Sequence, residues 1–246
     1  MTLAAEEIKA CCAAAYSSPA ARFLLGDSFH PGGATLTSRL ARALRVGAGD
    51  VVVDVACGPG ASAYQLAREI GCAVIGVDLA PPADTDDPRV RFLRGDAEAL
   101  PLEDASVDGA LCECALCTFP DKPAAAHELA RVLRPGARLA LSDLTARPAE
   151  MPESLASLQA WVACVGDARR LVEIADLLTR AGLEVEHTET HDDALAALLD
   201  RVEARLQVAT LIAADTTARG RELLRDVRGA VEAGTIGYGV VIARRP

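Results

Sequence analysis

Three thiols lie close together in the run Leu111–Lys122. Cys112 and Cys114 are separated by Glu113, and Cys117 follows shortly after. Thiolates are nucleophiles and are preferred ligands of soft metals and metalloids. The run contains no His or Tyr that could act as a general base, so it favours binding of a soft centre over proton abstraction. Strand alternation through this run predicts Cys112 and Cys114 on one side and Glu113 on the other.

A second group of residues could hold a nucleoside. Asp54 lies near the end of an apolar run that is closed by the turn residues Gly58 and Gly60, whose lack of a side chain lets a ligand approach the backbone. The Asp54 carboxylate can hold a positively charged amine, and Asp78, at the end of the next apolar run, can accept both hydroxyls of a ribose. The helix opening 61–63 supplies no third glycine for a diphosphate, which favours a nucleoside without phosphate over a dinucleotide.

These residues need a parallel sheet to bring them together, and the pattern along the chain predicts one. Near-continuous apolar runs alternate with helical periods, which is typical of βαβ units with strands buried on both faces. The predicted strands are 51–55, 73–78, 90–93, 107–114, 138–142, 183–190 and 235–243. The predicted helices are 61–70, 123–133, 169–180 (with Asp167 as its cap), about 193–213 and 217–232.

We therefore predict an α/β, Rossmann-like, seven-stranded, mostly parallel sheet with helices on both faces. Residues 1–48 are Ala-rich and helical in period, and we predict that they form an N-terminal helical cap. Residues 49–246 are expected to form a single globular domain with a helical insert at about 191–233.

Composition narrows the class of partner. The 246 residues carry a formal net charge of −10, which disfavours nucleic acid and anionic lipid as partners. The first residues include acids where a signal peptide needs a basic flank, and no apolar run is long enough to span a bilayer, so we expect a cytoplasmic protein without a membrane partner. In a reducing compartment the eight cysteines are not a disulfide framework, and Cys57, Cys72 and Cys112 are expected to be buried apolar residues.

Several blocks, in the right order, resemble the class I S-adenosylmethionine-dependent methyltransferases. Besides the turn after Asp54 and the acid Asp78, these are 95–101 (Gly-Asp-Ala-Glu-Ala-Leu-Pro), 106–113 and 131–139. The resemblance covers about residues 50–185 and implies that Asp96 accepts from the adenine amine while the Ala97 amide faces a ring nitrogen. The implied cofactor is S-adenosylmethionine, and the implied cofactor-binding residues are Asp54, Ala56, Gly58, Gly60, Asp78, Leu79, Asp96, Ala97 and Glu113.

Within that class the chain resembles the arsenite methyltransferases. Glu113-Cys114 with 119–122 (Phe-Pro-Asp-Lys), 161–166 (Trp-Val-Ala-Cys-Val-Gly) and the pair Cys11-Cys12 stand where that family carries its cysteine blocks. The chain departs from the family at Cys117, an additional thiol, at 26–33, which has no clear counterpart, and in its C-terminal helices. The resemblance implies arsenic-binding thiols, for which the candidates are Cys114, Cys164, Cys12 and Cys117.

The chemistry of arsenic is consistent with binding by these cysteine thiols. Trivalent arsenic is thiophilic, and when thiolates hold it, its remaining lone pair can attack a sulfonium methyl group without a general base. The expected partners are a small-molecule substrate and a thiol reductant, and no resident metal is expected. Two alternatives remain: methylation of carbon, oxygen or nitrogen in a small metabolite such as a quinone-like compound, and a thiol-based metal-binding protein with a vestigial cofactor site.

Overall fold

A computed structural model describes residues 4–147, 155, 165–212 and 214–246, with the side chains of 211–217 excepted. Three helices precede the sheet and five accompany or follow it. They are α1 (Ala5–Tyr16), α2 (Pro19–Leu25), α3 (Gly33–Leu44), α4 (Ala61–Glu69), α5 (Lys122–Val132), α6 (Leu171–Arg180), α7 (Asp192–Ile212) and α8 (Ala214–Glu232).

The described residues form one seven-stranded sheet in the order β3-β2-β1-β4-β5-β7-β6. The strands are β1 (Val51–Val55), β2 (Ala73–Asp78), β3 (Val90–Arg94), β4 (Val107–Glu113), β5 (Leu133–Ala146), β6 (Glu184–Thr190) and β7 (Ile236–Arg244). The first five strands pair in parallel, and β7 pairs antiparallel with both β5 and β6. The predicted Rossmann-like, mostly parallel fold is confirmed.

Both faces of the sheet are buried, which explains the continuous apolar runs. Neighbouring residues of β1 belong to different cores, because Val52 packs with the leucines of α3 while Val53 packs with those of α5 and α6. The leucines of α3, including Leu36 and Leu40, therefore share a core with the sheet. The division of the chain at residue 48 stays a prediction.

Two local predictions were wrong. Asp167 does not cap α6, which begins at Leu171, because its carboxylate pairs with Lys122 and Arg169 instead. Strand β5 is longer than predicted and begins at Leu133. A register shift opposite 107–109 accommodates the intervening turn residues.

The topology places the functional candidates at one edge. β1 and β4 are adjacent and β2 lies next to β1, so the carboxyl ends of all three parallel strands meet. The loops that follow them contain the acids and thiols singled out above. In the described ranges, no helix combines the length and apolar character required to cross a bilayer.

Candidate functional site

A cleft at the carboxyl edge of the sheet encloses about 1060 Å³, part of it open to solvent. Helix α1, the segment 27–30 and the loops after β1, β2, β3 and β4 form its walls. This volume accommodates a nucleoside-sized ligand together with a small acceptor. Ten of the thirteen predicted site residues line it: Cys12, Asp54, Ala56, Gly58, Asp78, Leu79, Asp96, Ala97, Glu113 and Cys114.

Asp54 is a buried carboxylate at the floor of this cleft. Its residue is 2% exposed, and its Oδ2 has no hydrogen-bond partner among the described residues. Burial, together with the nearby negative charges of Glu113 and Asp78, raises the pKa of Asp54 well above its ordinary value. A buried acceptor without a partner is costly, so this oxygen is suited to a donor that a ligand supplies.

The turn after β1 and the end of β2 are joined by hydrogen bonds. Asp78 Oδ2 accepts from the Gly58 amide at 3.0 Å, and Asp78 Oδ1 accepts from the Ala80 amide at 2.8 Å. Each carboxylate oxygen keeps a further lone pair, which can accept from a hydroxyl in the cleft. At the end of β3, Asp96 Oδ1 accepts from the Glu98 amide at 2.9 Å. The three acids Asp54, Asp78 and Asp96 thus give the cleft a strongly acceptor-rich wall.

Gly60 does not line the cleft. A glycine is required at this position for a steric reason. Its φ is +82°, and a Cβ built there would lie 2.4 Å from the ring of Phe92. Gly60 therefore allows α4 to begin in a left-handed turn directly against a β3 side chain.

We predict that Gly60→Ala lowers the free energy of unfolding more than Gly136→Ala does. Both glycines have nearly the same positive φ, but a Cβ at Gly136 meets nothing within 4 Å. Both variants should lose about 1–2 kcal/mol from backbone strain, and Gly60→Ala about 1–3 kcal/mol more from the contact with Phe92. Urea unfolding without cofactor measures both, and equal losses would contradict the steric role of Gly60.

Glu113 ends β4 and is held rigidly inside the cleft. Its Oε2 accepts from Ser62 Oγ at 2.6 Å, and Thr37 Oγ1 lies 3.1 Å from its Oε1. His30 Nε2 lies 3.5 Å from Glu113 Oε2, and His30 Nδ1 donates to the carbonyl oxygen of Pro31 at 3.0 Å. These contacts join α3, α4 and the segment before α3 to the end of β4.

Cys114 lies in a different position from the one that strand alternation predicts. Its φ is +53°, in the left-handed region, so the strand ends before it and alternation does not reach it. Glu113 and Cys114 both line the cleft, while Cys112 is buried in the core on the α5 face of the sheet. The prediction that Cys112 and Cys114 share a side was therefore wrong.

The other thiols separate into two groups. Cys12, on α1, lines the cleft, whereas Cys117 is 3% exposed and packs in the core on the α3 face. The predicted burial of Cys57, Cys72 and Cys112 is confirmed, and burial raises the pKa of all three thiols. Thiols with a raised pKa are poor nucleophiles and poor ligands.

Cys164 lies outside the described residues, but the segment that follows it is described. Lys122, only 5% exposed, donates from Nζ to Asp167 at 2.5 Å and to the carbonyl oxygens of Cys117 and Phe119 at 3.2 and 3.0 Å. This buried ammonium ties the loop after β4 to the chain three residues beyond Cys164.

Sequence reasoning missed Thr37, Ser62 and the structural role of Lys122. Hydroxyl residues on α3 and α4 show no distinguishing spacing, and their relation to Glu113 depends on how the helices pack. Lys122 belongs to the Phe-Pro-Asp-Lys block at 119–122, but only the packed structure reveals that its ammonium group is buried.

The residues fit the cofactor that the sequence resemblance implies. Asp54 Oδ2 is a buried acceptor without a partner among the described residues and is suited to an ammonium group, Asp78 ends β2 where a ribose is expected, and Asp96 follows β3. The assignments of individual residues to cofactor groups stay predictions.

Comparison with known proteins supports the same interpretation. Residues 53–141 match the family model described as a methyltransferase domain. A 27-O-demethylrifamycin SV methyltransferase of Amycolatopsis mediterranei (strain S699) is 37% identical over 171 residues, covering 63% of this chain and 61% of the relative. An arsenite methyltransferase of Halobacterium salinarum (strain ATCC 700922 / JCM 11081 / NRC-1) is 29% identical over 164 residues, covering 62% and 42%. The chain thus spans less than two thirds of the length of these relatives.

Among solved structures, the [4+2]-cyclase SpnF matches with a TM-score of 0.78 and 19% identity, covering 100% of this chain and 97% of that one. This similarity establishes the fold. Because that neighbour is described as a cyclase, the fold by itself does not determine the reaction, which has to be argued from the site.

Proposed function

We propose that this chain, whose residues 53–141 match a methyltransferase domain, uses S-adenosylmethionine to methylate trivalent arsenic held by thiols in the cleft. The observation that carries the proposal is that Cys12, from α1, and Cys114, directly after β4, line the same cleft as Asp54 and Asp96. Cys57 also lines this cleft, but burial raises the pKa of its thiol, so Cys12 and Cys114, from distant parts of the chain, are the two cleft thiols suited to ligation.

The cofactor end would be organised by the three acids. Asp54 would hold the ammonium group, Asp78 the ribose hydroxyls and Asp96 the adenine amine. Bound there, S-adenosylmethionine supplies a methyl group on a positively charged sulfonium. Glu113, fixed by Ser62 and Thr37, adds negative charge beside that region and favours a cationic ligand.

The acceptor end would act by positioning. Cys12 and Cys114 thiolates would hold trivalent arsenic, with Cys164 as the third predicted ligand. The arsenic lone pair would form the new bond to the methyl carbon, which would leave arsenic positively charged and formally pentavalent, while the electron pair of the broken carbon–sulfur bond would stay on the departing sulfur as a neutral thioether. A thiol reductant, dithiothreitol in the assay below, would return arsenic to the trivalent state by forming a disulfide. In the methyl transfer itself no proton moves, so the thiols need only orient arsenic in line with the methyl group and exclude water.

A second candidate is methylation of a hydroxyl group in a small metabolite. His30 lines the cleft, and its Nε2 lies 3.5 Å from a Glu113 carboxylate oxygen, so an imidazole is available as a base. The relative from Amycolatopsis is named for methylation at an oxygen of rifamycin SV. Under this alternative the cleft thiols would be incidental.

The metal-binding alternative gains no support from the described part of the chain, where no three His, Cys, Asp or Glu side chains are grouped to hold a metal ion. Residue Cys164 is outside that part.

Turnover with defined acceptors distinguishes the two enzymatic candidates. We expect the purified protein to form S-adenosylhomocysteine and methylated arsenic from arsenite in the presence of dithiothreitol, as followed by liquid chromatography and mass spectrometry. Omitting arsenite should reduce product formation at least about tenfold, because thiophilic arsenic is the acceptor. Alkylation of the cleft thiols should stop the reaction.

The same assay with a panel of phenols and hydroquinones tests the alternative. No turnover with arsenite or methylarsonous acid, together with methylation of a hydroxyl acceptor that survives thiol alkylation, would overturn the arsenic proposal and support the oxygen acceptor. Stoichiometric zinc in protein that binds no S-adenosylhomocysteine would instead support a metal-binding protein.

A further inference from the structure

Lys9, on α1, forms two ion pairs at the cofactor end of the cleft. Its Nζ lies 2.7 Å from Asp96 Oδ2 and 2.5 Å from Glu98 Oε2, and all three side chains are partly buried. Lys9 and Asp96 both line the cleft. An N-terminal helix is therefore attached to the carboxylate that is expected to bind adenine.

The two carboxylates extend this contact to other parts of the site. Asp96 Oδ1 is taken by the Glu98 amide, and Asp96 Oδ2 accepts from Lys9 while retaining a second lone pair for a ligand amine. Glu98 Oε1 accepts from the Asp121 amide at 2.7 Å, in the loop after β4. The Lys9 ammonium thus joins α1, the segment after β3 and the loop that begins with Cys114.

On the acceptor side, α1 presents a stripe of residues to the cleft. Cys12 and Tyr16 follow Lys9 at intervals of three and four residues, which places all three on one face of the helix, and all three line the cleft. Ile8 and Cys12 are the two buried residues of α1, so this helix buries little apolar surface against the rest of the protein. The ion pairs of Lys9 are correspondingly important for holding this face in place.

The charges make Lys9 difficult to replace by an apolar side chain. Burial opposes the charged ammonium, but the hydrogen bonds and negative charges of Asp96 and Glu98 raise the pKa of Lys9 above its ordinary value. Without the ammonium, two partly buried carboxylates would face each other with no cation between them.

We propose that Lys9 is a positioning residue that couples the two ends of the cleft, because its ammonium docks α1, and with it Cys12, onto the carboxylates of the adenine-binding segment. A ligand bound at Asp96 then strengthens the docking of α1. Docked α1 in turn holds Cys12 and Tyr16 at the part of the cleft that binds the acceptor. This inference rests on the cofactor site of the proposed function and is independent of whether the acceptor is arsenic or a hydroxyl group.

The rate at which N-ethylmaleimide modifies Cys12 reports whether α1 is docked. We would measure it by peptide mass spectrometry in a Cys11→Ser background, with and without saturating S-adenosylhomocysteine. In the parent protein we expect the ligand to slow modification at least about tenfold, because docking buries the thiol further. In Lys9→Met we expect modification about tenfold faster without ligand, and protection by saturating ligand reduced to about twofold or less.

Two variants and an internal reference separate docking from general damage. Lys9→Arg keeps the charge and should restore most of the protection, and Glu6→Gln, on the exposed side of α1, should behave as the parent. Cys72, which is fully buried, should remain unmodified in every variant, whereas unfolding would expose it. In turnover assays Lys9→Met should raise the KM for the acceptor more than it lowers kcat.

The outcomes are distinguishable. Equal protection of Cys12 in Lys9→Met and the parent would overturn the coupling while leaving the proposed function intact. A parent protein that does not bind S-adenosylhomocysteine would overturn both, and turnover of a hydroxyl acceptor with the expected modification pattern would overturn the arsenic substrate alone.

Discussion

Replacing Cys114 with serine should reduce arsenite-dependent methyl transfer at least about 100-fold, because a hydroxyl group is a hard, poor ligand for trivalent arsenic. Serine has nearly the same size as cysteine, so the left-handed turn after β4 should persist. Affinity for S-adenosylhomocysteine should therefore stay within about twofold, as calorimetry can measure. The loss should appear in turnover and in arsenite affinity together.

Cys11→Ser is the matched control for this variant. Cys11 is the sequence neighbour of Cys12 but is not among the residues that line the cleft, so this variant should methylate arsenic at the parent rate. Cys12→Ser should weaken arsenite binding about tenfold or more, since it removes one of the thiolates. Parent activity in both Cys114→Ser and Cys12→Ser would exclude thiol ligation of the substrate.

Replacing Asp54 with asparagine should have opposite effects on cofactor binding and on stability. We expect affinity for S-adenosylhomocysteine to fall about 30- to 100-fold, or about 2–3 kcal/mol, because the buried carboxylate would lose its attraction for the ligand ammonium. At the same time the cofactor-free variant should be more stable at pH 8, since a buried anion near Glu113 and Asp78 is unfavourable until the cation arrives.

The effect of Asp54→Asn on the free energy of unfolding depends on pH, and its direction follows from the raised pKa of Asp54. Because the pKa of Asp54 is raised in the folded protein, the unfolded chain loses this proton first, starting near its usual pKa of about 3.9. The contribution of Asp54 to the free energy of unfolding is therefore greatest below that pH and falls as the pH rises through the folded pKa. An asparagine side chain does not titrate, so Asp54→Asn should melt close to the parent at pH 4 and several degrees higher at pH 8.

Binding should show the complementary trend. The carboxylate form of Asp54 is the one that attracts an ammonium group, so the parent should bind S-adenosylhomocysteine more tightly as pH rises, and Asp54→Asn should lose much of that dependence. Asp78→Asn is the contrasting variant. Both oxygens of Asp78 accept from backbone amides, so its replacement should lower stability rather than raise it. A variant Asp54→Asn that binds as tightly as the parent would contradict the role of Asp54.

The sequence predicted the order of strands and helices because that information lies in local apolar periodicity. Asp54, Asp78 and Asp96 could be singled out for a related reason, since each lies at or just beyond the carboxyl-terminal part of an apolar strand and the carboxyl ends of parallel strands meet. The side of the sheet on which Cys114 lies could not be predicted in this way. The left-handed backbone at Cys114 interrupts the alternation, and a cysteine at that position gives no sequence signal for this conformation.

Contacts between distant segments were also beyond sequence reasoning. Lys9 is one lysine on an Ala-rich helix, and its relation to Asp96 and Glu98 arises only when α1 folds over the edge of the sheet. Cys117 was predicted as a ligand together with Cys114, which lies three residues before it, because spacing in the sequence does not reveal burial. The 3₁₀ turn Leu116–Thr118 instead places Cys117 in the core.

The walls of the cleft come from separate stretches of the chain, and this has a consequence for how such a protein can be diversified. The acids that fit the cofactor lie between Asp54 and Asp96, whereas Cys12, Tyr16 and Phe29 line the cleft from the segment before β1. Variation in that early segment can change which acceptor is admitted without altering the acids. Exchanging residues 10–30 between homologous enzymes, which leaves Lys9 and its ion pairs with Asp96 and Glu98 in place, is therefore a direct way to test new acceptor preferences on an unchanged set of acids.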